Sequence, residues 1–413
     1  MSYNVPVIEG AFKTFEPGYD GVFVYPGYYP ENEAIPGVTY DFNHGFRIMQ
    51  AETSDQHLLV IAIDADTDTI LLNQRLVPGK CLVCKKKYYV RYKIFLLDEQ
   101  SGKTIWTYTL DLKDREVVLQ VCHSGAIGDT IGWFSMMERF QKQHNARIHV
   151  LMPFWISPLF KDQYPDMVFE TEASTRELRP FATYYICFWW GDSPEWQPYD
   201  FHGVSLPEQA GRILGLDDLS EIPPRLNLSA PRQIQDRYVV IATHASKHVK
   251  CWCNPDGWRL TIAFLRRKGY RVLCIDKEAS IGSGDGRHEL PCDVEDYTGD
   301  KPLQERVNIL KDADFFIGLS SGLSWLAWAC RIPIVLISGI CAPFAEFQTP
   351  YRVQNKHVCH GCWNDARYGY DHDDFMWCPR YKDTDRAYEC TRGITSSMVI
   401  DAIKRIPGTL CSE

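Results

Sequence analysis

The sequence predicts an α/β protein with two Rossmann-like units in tandem, an antiparallel β domain before them and a four-cysteine finger after them. Three observations carry this. Between 113 and 340, short apolar runs alternate with helix-length amphipathic segments, the pattern of parallel sheets with crossover helices. Residues 22–95 instead hold short β-prone runs separated by Asp, Gly, Pro and Asn. Finally, Cys359-x2-Cys362-x15-Cys378-x11-Cys390 falls in a stretch with few aliphatic residues. The expected divisions are a β domain at 1–112, a first Rossmann-like unit at 113–230, a second at 231–357, the finger at 358–392 and a final helix within 393–413.

In the first division the runs at 22–25, 46–49, 58–63, 70–72 and 88–95 are strands of a barrel or sandwich, with no helix-length segment between them. Cys81 and Cys84 lie between two of these runs. No second pair is near, so they read as hairpin thiols rather than a metal site.

The first unit opens with a strand at 117–121, the turn His123-Ser124-Gly125-Ala126-Ile127-Gly128-Asp129 and a helix carrying Ile131, Phe134, Met137 and Phe140. Asp129 falls in the first helical turn, beside unpaired backbone N–H groups. It is either a carboxylate facing a cleft or a helix cap. Further strands are expected at 147–152, 167–169 and 184–190, a helix at 206–214 and a proline-containing connector at 221–226. Trp189, Trp190 and Asp192, at a strand end, either line a cleft or belong to the core.

In the second unit, strands at 238–242, 270–275, 312–318 and 332–337 alternate with helices at 257–268, 303–311 and 325–330. Parallel sheets bind ligands at the carboxyl ends of their strands, and two such units imply a cleft between them. Two turns there suit phosphate. One supplies Ser246 and Lys250, although such a lysine is often only a solvated surface residue. In the other, Ser321-Gly322 opens a helix whose N–H groups and dipole favour an anion. Neither is a Walker loop; together they make a diphosphate clamp.

The finger has too little apolar surface to fold on a core of its own. Four thiolates at these spacings suit a tetrahedral structural site for zinc or a single iron, against the alternative of four free thiols in a loop. His357, His360 and His372 read as solvent-facing, and Cys251 and Cys253 as packing.

Composition narrows the function. The chain has 413 residues, 45% hydrophobic and 23% charged, as in a globular protein. A net charge of −9 without a basic face argues against nucleic acid. No apolar run is long enough to span a membrane. The first residues lack the charged and apolar regions of a secretory signal. With 15 cysteines, that pattern predicts reduced thiols and a cytoplasmic location.

The G-x-x-G-D turn, the lysine turn and the segment Asp314-x-Phe316-Ile317-Gly318-Leu319-Ser320-Ser321-Gly322 resemble those of bacterial heptosyltransferases, most closely the autotransporter heptosyltransferase family. The resemblance implies a GT-B glycosyltransferase that moves heptose from ADP-heptose onto serine hydroxyls of autotransporter adhesin passenger domains, with inversion and without a catalytic metal. It implies Asp129 as general base and Lys250 as partner of the ADP leaving group. Ser246, Ser321, Gly322, Ser324 and Gly128 fall on the donor side; Gly125, Trp190 and Asp192 fall on the acceptor side. It places structural iron on Cys359, Cys362, Cys378 and Cys390, ahead of zinc, and implies a large ring-like homo-oligomer, a dodecamer. A final helix at 394–406 often returns to the first unit in GT-B folds. Lipopolysaccharide heptosyltransferases read D-T-G-x-x-H where this chain has Ser320-Ser321-Gly322-Leu323-Ser324-Trp325. A lipopolysaccharide-type acceptor, or another nucleotide sugar as donor, is the alternative reading.

Overall fold

The computed structural model describes residues 32–43, 45–84, 86–122, 126–171, 178–188 and 194–409. The run at 22–25 and Gly125, Trp189, Trp190 and Asp192 lie outside them. In chain order come β1 (Asn32–Ile35), β2 (Val38–Asn43), β3 (Arg47–Gln50), β4 (Leu58–Asp64), β5 (Thr69–Leu76), β6 (Cys81–Val83), β7 (Tyr92–Asp98) and β8 (Thr104–Thr109). Then follow β9 (Glu116–Val121), α1 (Ile127–Phe134), α2 (Met137–His144), β10 (Arg147–Leu151), β11 (Met167–Phe169), β12 (Ala182–Ile186) and α3 (Leu206–Ile213).

The strands expected of a separate β domain divide between two sheets. β4, β5, β7 and β8 form a four-stranded antiparallel sheet in the order β5-β4-β7-β8. β2, β3 and β6 instead extend the first parallel sheet, whose order is β11-β10-β9-β12-β2-β3-β6, and β1 pairs with β2. The strands of the expected 1–112 division are therefore not confined to a sheet of their own. The seam is β2 beside β12, parallel, with Ala182 opposite Phe42. A buried polar lock fixes it: Asn43 donates to the Pro180 carbonyl at 2.8 Å and accepts from the Thr183 hydroxyl at 2.6 Å. One layer of the expected sandwich is thus continuous with the Rossmann-like sheet. The two layers meet through rings such as Tyr40 and Trp106, 5.0 Å apart, and Phe42 and Tyr92, 5.8 Å apart. Cys81 and Cys84 are buried there; the Tyr92 hydroxyl donates to the Cys84 sulfur.

Gly215 to Arg237 carries no helix or strand. The second unit then gives β13 (Tyr238–Ile241), α4 (Gly257–Arg267), β14 (Arg271–Cys274), β15 (Ser280–Ile281), β16 (His288–Glu289), β17 (Glu295–Asp296) and α5 (Leu303–Leu310). After these come β18 (Phe316–Leu319), α6 (Gly322–Ala329), β19 (Ile334–Ile337), β20 (Arg352–Val353), α7 (Glu389–Arg392) and α8 (Ser396–Lys404). β13, β18 and β19 are buried along their whole length, as strands covered on both faces must be. The sheet is all parallel, in the order β17-β14-β13-β18-β19-β20.

That order places the cleft. From β13 the chain winds outward through β14 and β17, then restarts on the other side of β13 with β18. A crevice opens at such a switch point, at the carboxyl ends of the strands. The first sheet repeats the device: β10 and β11 lie on one side of β9, and β12 on the other.

The last helix does not cross to the first unit. α8 packs on α4, β19 and β20, burying Val399, Ala402, Ile403 and Ile406 in the core that holds Ile262 and Leu265. Its apolar stripe suits either sheet, and the nearer one takes it. No helix among the described residues is long and apolar enough to cross a membrane.

Candidate active site

Asp129 lies just past the carboxyl end of β9, at one switch point. The N-cap of α1 is Ala126, which has no capping side chain. Asp129 instead takes the Ala126 N–H, as the acid of a capping box does. The cap and the cleft-facing carboxylate are therefore one arrangement. Burial pushes the Asp129 carboxyl up to about 6, and the Lys250 charge and the Ala126 N–H pull against that rise.

Lys250 comes from the other unit, on the one-turn 3-10 helix His248–Lys250 that follows β13. Burial alone pulls its ammonium down, but Tyr370, Cys341, Asp129 and Glu346 outweigh it, and Lys250 ends above its ordinary value. Its Nζ lies 5.6 Å from the ring centre of Trp363 and 5.7 Å from that of Tyr370, within cation–π range.

Ser321, at the end of β18, is the N-cap of α6, which starts three residues before the helix expected from the sequence. Its Oγ is buried and has no protein partner among the described residues; the same holds for Nε2 of His244, at the end of neighbouring β13. His244 Nδ1 lies 3.1 Å from the Glu278 carbonyl, which leaves Nε2 as the nitrogen without a protein partner among the described residues. Two unpaired polar atoms beside one switch point are what a bound polar ligand would satisfy. Behind the turn, Ser320 donates to Ser338 at 3.0 Å, Ser338 to Glu346 at 2.8 Å, and Glu346 pairs with Arg352.

The other donor-side residues fare differently. Ser246 is exposed at the lip of the lysine turn. Ser324 is fully buried and donates to the Leu319 carbonyl at 2.6 Å, so it closes its own turn instead of facing a ligand. Gly128 and Gly322 let the two units interlock. A Cβ on Gly128 would stand 2.7 Å from the Trp325 ring, and one on Gly322 would stand 2.7 Å from Cβ of Ile127 and 3.1 Å from the Gly128 nitrogen. Gly322→Ala is therefore expected to cost about 1–3 kcal/mol, the range for an extra methylene forced into a packed contact. Gly369→Ala, whose Cβ meets nothing within 4 Å, is the control. Thermal melts compare them, and equal melting temperatures would show that the two helices yield freely.

The finger borders this site, which its position in the sequence does not reveal. Lys247, only 4% exposed, donates to the carbonyls of His372 and Asp374 and so ties the lysine turn to the finger. Asn364 reaches the first unit through the His202 carbonyl at 2.8 Å, and Trp363 meets Phe188 at 5.7 Å. The finger thus spans both units. The one sequence signal for this is its own load of aromatics, Trp363, Tyr368 and Tyr370.

Cys359, Cys362, Cys378 and Cys390 line one small pocket together with Val249 and His360. Cys362, Cys378 and Cys390 are buried; Cys359 is half-buried, with its N–H on Glu389 and its sulfur near Arg380. Four cysteines lining one pocket are the donor set that a structural four-thiolate metal site uses.

The frame of two facing α/β units, with an acid and a lysine brought together at their switch points, is that of a glycosyltransferase. The family model for "Glycosyltransferase TibC, N-terminal domain" matches residues 35–100, and that for "Glycosyltransferase family 9 (heptosyltransferase)" matches residues 216–371. The chain belongs to the autotransporter heptosyltransferase family. It is 44% identical to the autotransporter heptosyltransferase TibC of Escherichia coli O78:H11 over 391 residues, 95% of each chain. The crystal structure of dodecameric iron-containing TibC with ADP-D-beta-D-heptose superposes with a TM-score of 0.86 at 44% identity, covering 91% of this chain and 97% of that one. A relative from Burkholderia thailandensis, an inactive autotransporter heptosyltransferase named BimC, is 33% identical over 94% of this chain and 90% of its own.

Proposed function

We propose that this chain is an inverting GT-B heptosyltransferase that moves heptose from ADP-heptose to serine hydroxyls of an autotransporter passenger domain. The observation that carries the reading is the meeting of Asp129 and Lys250, each from the switch point of its own sheet and each biased by the other's charge. Asp129 takes the serine proton as the new C1–O bond forms. The bond from C1 to the diphosphate oxygen breaks, and its electrons leave with ADP. Lys250 and the N–H groups at Ser321 and Gly322 stabilise that charge as fixed donors, without a metal. Trp363 and Tyr370 hold Lys250 in place.

Structural iron on the four thiols of the finger belongs to this reading, supported by the donor set and by the iron-containing relative. Its thiolates leave no open position for chemistry. A large homo-oligomer and a cytoplasmic location complete the reading. Many copies would then engage a repetitive acceptor at once.

The test is incubation with ADP-heptose and a serine-bearing passenger fragment, followed by mass spectrometry. One added heptose per modified serine is the expected result; hydrolysis of the donor without transfer rejects the reading. Because the base must be ionised, kcat/KM is expected to rise tenfold per pH unit below about 6 and to level off above it. A pH–rate profile that stays flat between pH 5 and pH 7 removes Asp129 from the base role.

A further inference from the structure

The turn that presents Lys250 also gathers a group the transfer chemistry does not use. His248 Nδ1 lies 2.8 Å from Nε2 of His288, and His248 Nε2 lies 3.5 Å from the Cys253 sulfur. The donor atoms of the three residues lie within 4.8 Å of one another. His248 is buried, and Cys253 and His288 are half-buried. They come from three segments: the 3-10 turn, the loop before α4, and β16 of the β15–β16 hairpin. None of the three lines the four-thiol pocket.

Around a tetrahedral ion with nitrogen at ~2.0 Å and sulfur at ~2.3 Å, neighbouring ligand atoms stand about 3.3–3.6 Å apart. The two contacts of His248 use opposite nitrogens of its ring, and an ion takes only one of them. With one ligand atom from each residue the set lies within 4.8 Å, so closing onto an ion asks for shifts of about 1.2–1.5 Å at most. We propose that His248, Cys253 and His288 form a second metal site, for a zinc-class divalent cation, which staples the Lys250 turn to the β15–β16 hairpin. One thiolate and two imidazoles suit zinc better than a hard cation. Binding releases the Cys253 thiol proton to solvent, and each neutral imidazole keeps its one proton on the nitrogen turned away from the ion. The fourth position is left to water. His248 also donates its backbone N–H to the Phe375 carbonyl of the finger at 3.0 Å, so the ion would brace the turn from the side the finger leaves open.

The experiment uses the full chain with its finger metal in place. Weakly held metal is removed by dialysis, and zinc is then titrated against a chromogenic chelator, with elemental analysis alongside. The expected result is one zinc per chain beyond the finger's metal. His288→Ala and Cys253→Ser are each expected to weaken that binding by about a hundredfold or more, without changing the finger's content. No additional zinc, or binding by His288→Ala equal to that of the parent, overturns the proposal. So does Cys253→Ser emptying the finger while His288→Ala changes nothing, because Cys253 would then serve the four-thiol site. If Cys253→Ser does not fold by near-UV circular dichroism, His288→Ala decides alone. The readout is metal content, so its failure is separate from any failure of the transferase reading.

Discussion

Asp129→Asn is expected to lower the rate of heptose transfer by about 10²–10⁴-fold, the contribution of a positioned general base. The amide keeps the size of the carboxylate and its capping bond to the Ala126 N–H, so α1 should hold its place. Lys250, Ser321 and Gly322 belong to the other unit and are untouched, and binding of ADP-heptose should persist. A loss in kcat with an unchanged donor Kd is therefore the expected split; turnover within a few-fold of the parent would falsify the assignment. The same substitution should raise stability. Asp129 titrates near 6 in the folded chain, above its ordinary 3.8. The folded state therefore holds that proton more tightly than the unfolded state does. The favourable contribution is complete below the lower value and is lost as pH rises through about 6. Above pH 6 the parent bears the cost of a partly buried charge that Asn lacks. The variant should then melt at the higher temperature at pH 8, and the difference should shrink toward pH 4. The base is held at some expense to the fold.

Loss of the finger metal is the second large effect expected. Four-thiolate sites supply on the order of 10 kcal/mol of local folding energy, more than the small cluster around Trp377 and the bonds of Lys247 and Asn364 are expected to replace. Cys362→Ser or Cys390→Ser should abolish stoichiometric iron and expose residues 359–390 to protease. The effect should reach the chemistry, because Trp363 and Tyr370 flank Lys250 and Asn364 bonds to the first unit. Transfer should fall even though no cysteine touches substrate. Iron content, limited proteolysis and turnover, measured on one preparation, check this together. Full iron in either variant, or full turnover without metal, would remove the finger from its supporting role.

The sequence reveals the alternation of strands and helices from 113 to 340 because β13, β18 and β19 are unbroken runs without a charged or amide side chain and β9 is interrupted only by Gln120 after its first residue. Asp129 and Lys250 are legible because each follows such a run. The strand order is not: nothing in the composition of β13 says that β14 and β18 will flank it. β2 is hidden because Asp41 and Asn43 look like loop residues, whereas each is buried and hydrogen-bonded, Asp41 to Arg47 of β3 and Asn43 across the seam. Trp363 and Tyr370 are more than a hundred positions from Lys250, and no local pattern joins them. The side taken by α8 is equally silent, since one apolar stripe fits any apolar sheet face. The direction of the Ser324 hydroxyl is silent for a related reason: near a helix start it can face outward or back to its own turn, and here it donates to the Leu319 carbonyl.

The seam between β2 and β12 has a consequence in time. Asn43 and Thr183, whose side chains lock it, are 140 residues apart in the chain. At synthesis rates of 5–20 residues per second, roughly 7–28 s separate the appearance of one from the other. For that interval the Phe42–Asn43 end of β2 lacks its β12 partner, although β1 pairs with the start of β2 and β3 covers its far side. The four-stranded sheet closes on local hairpins and needs nothing beyond Thr109. It is thus available on the ribosome, well before Thr183 is made, to shelter the apolar face that β2 presents.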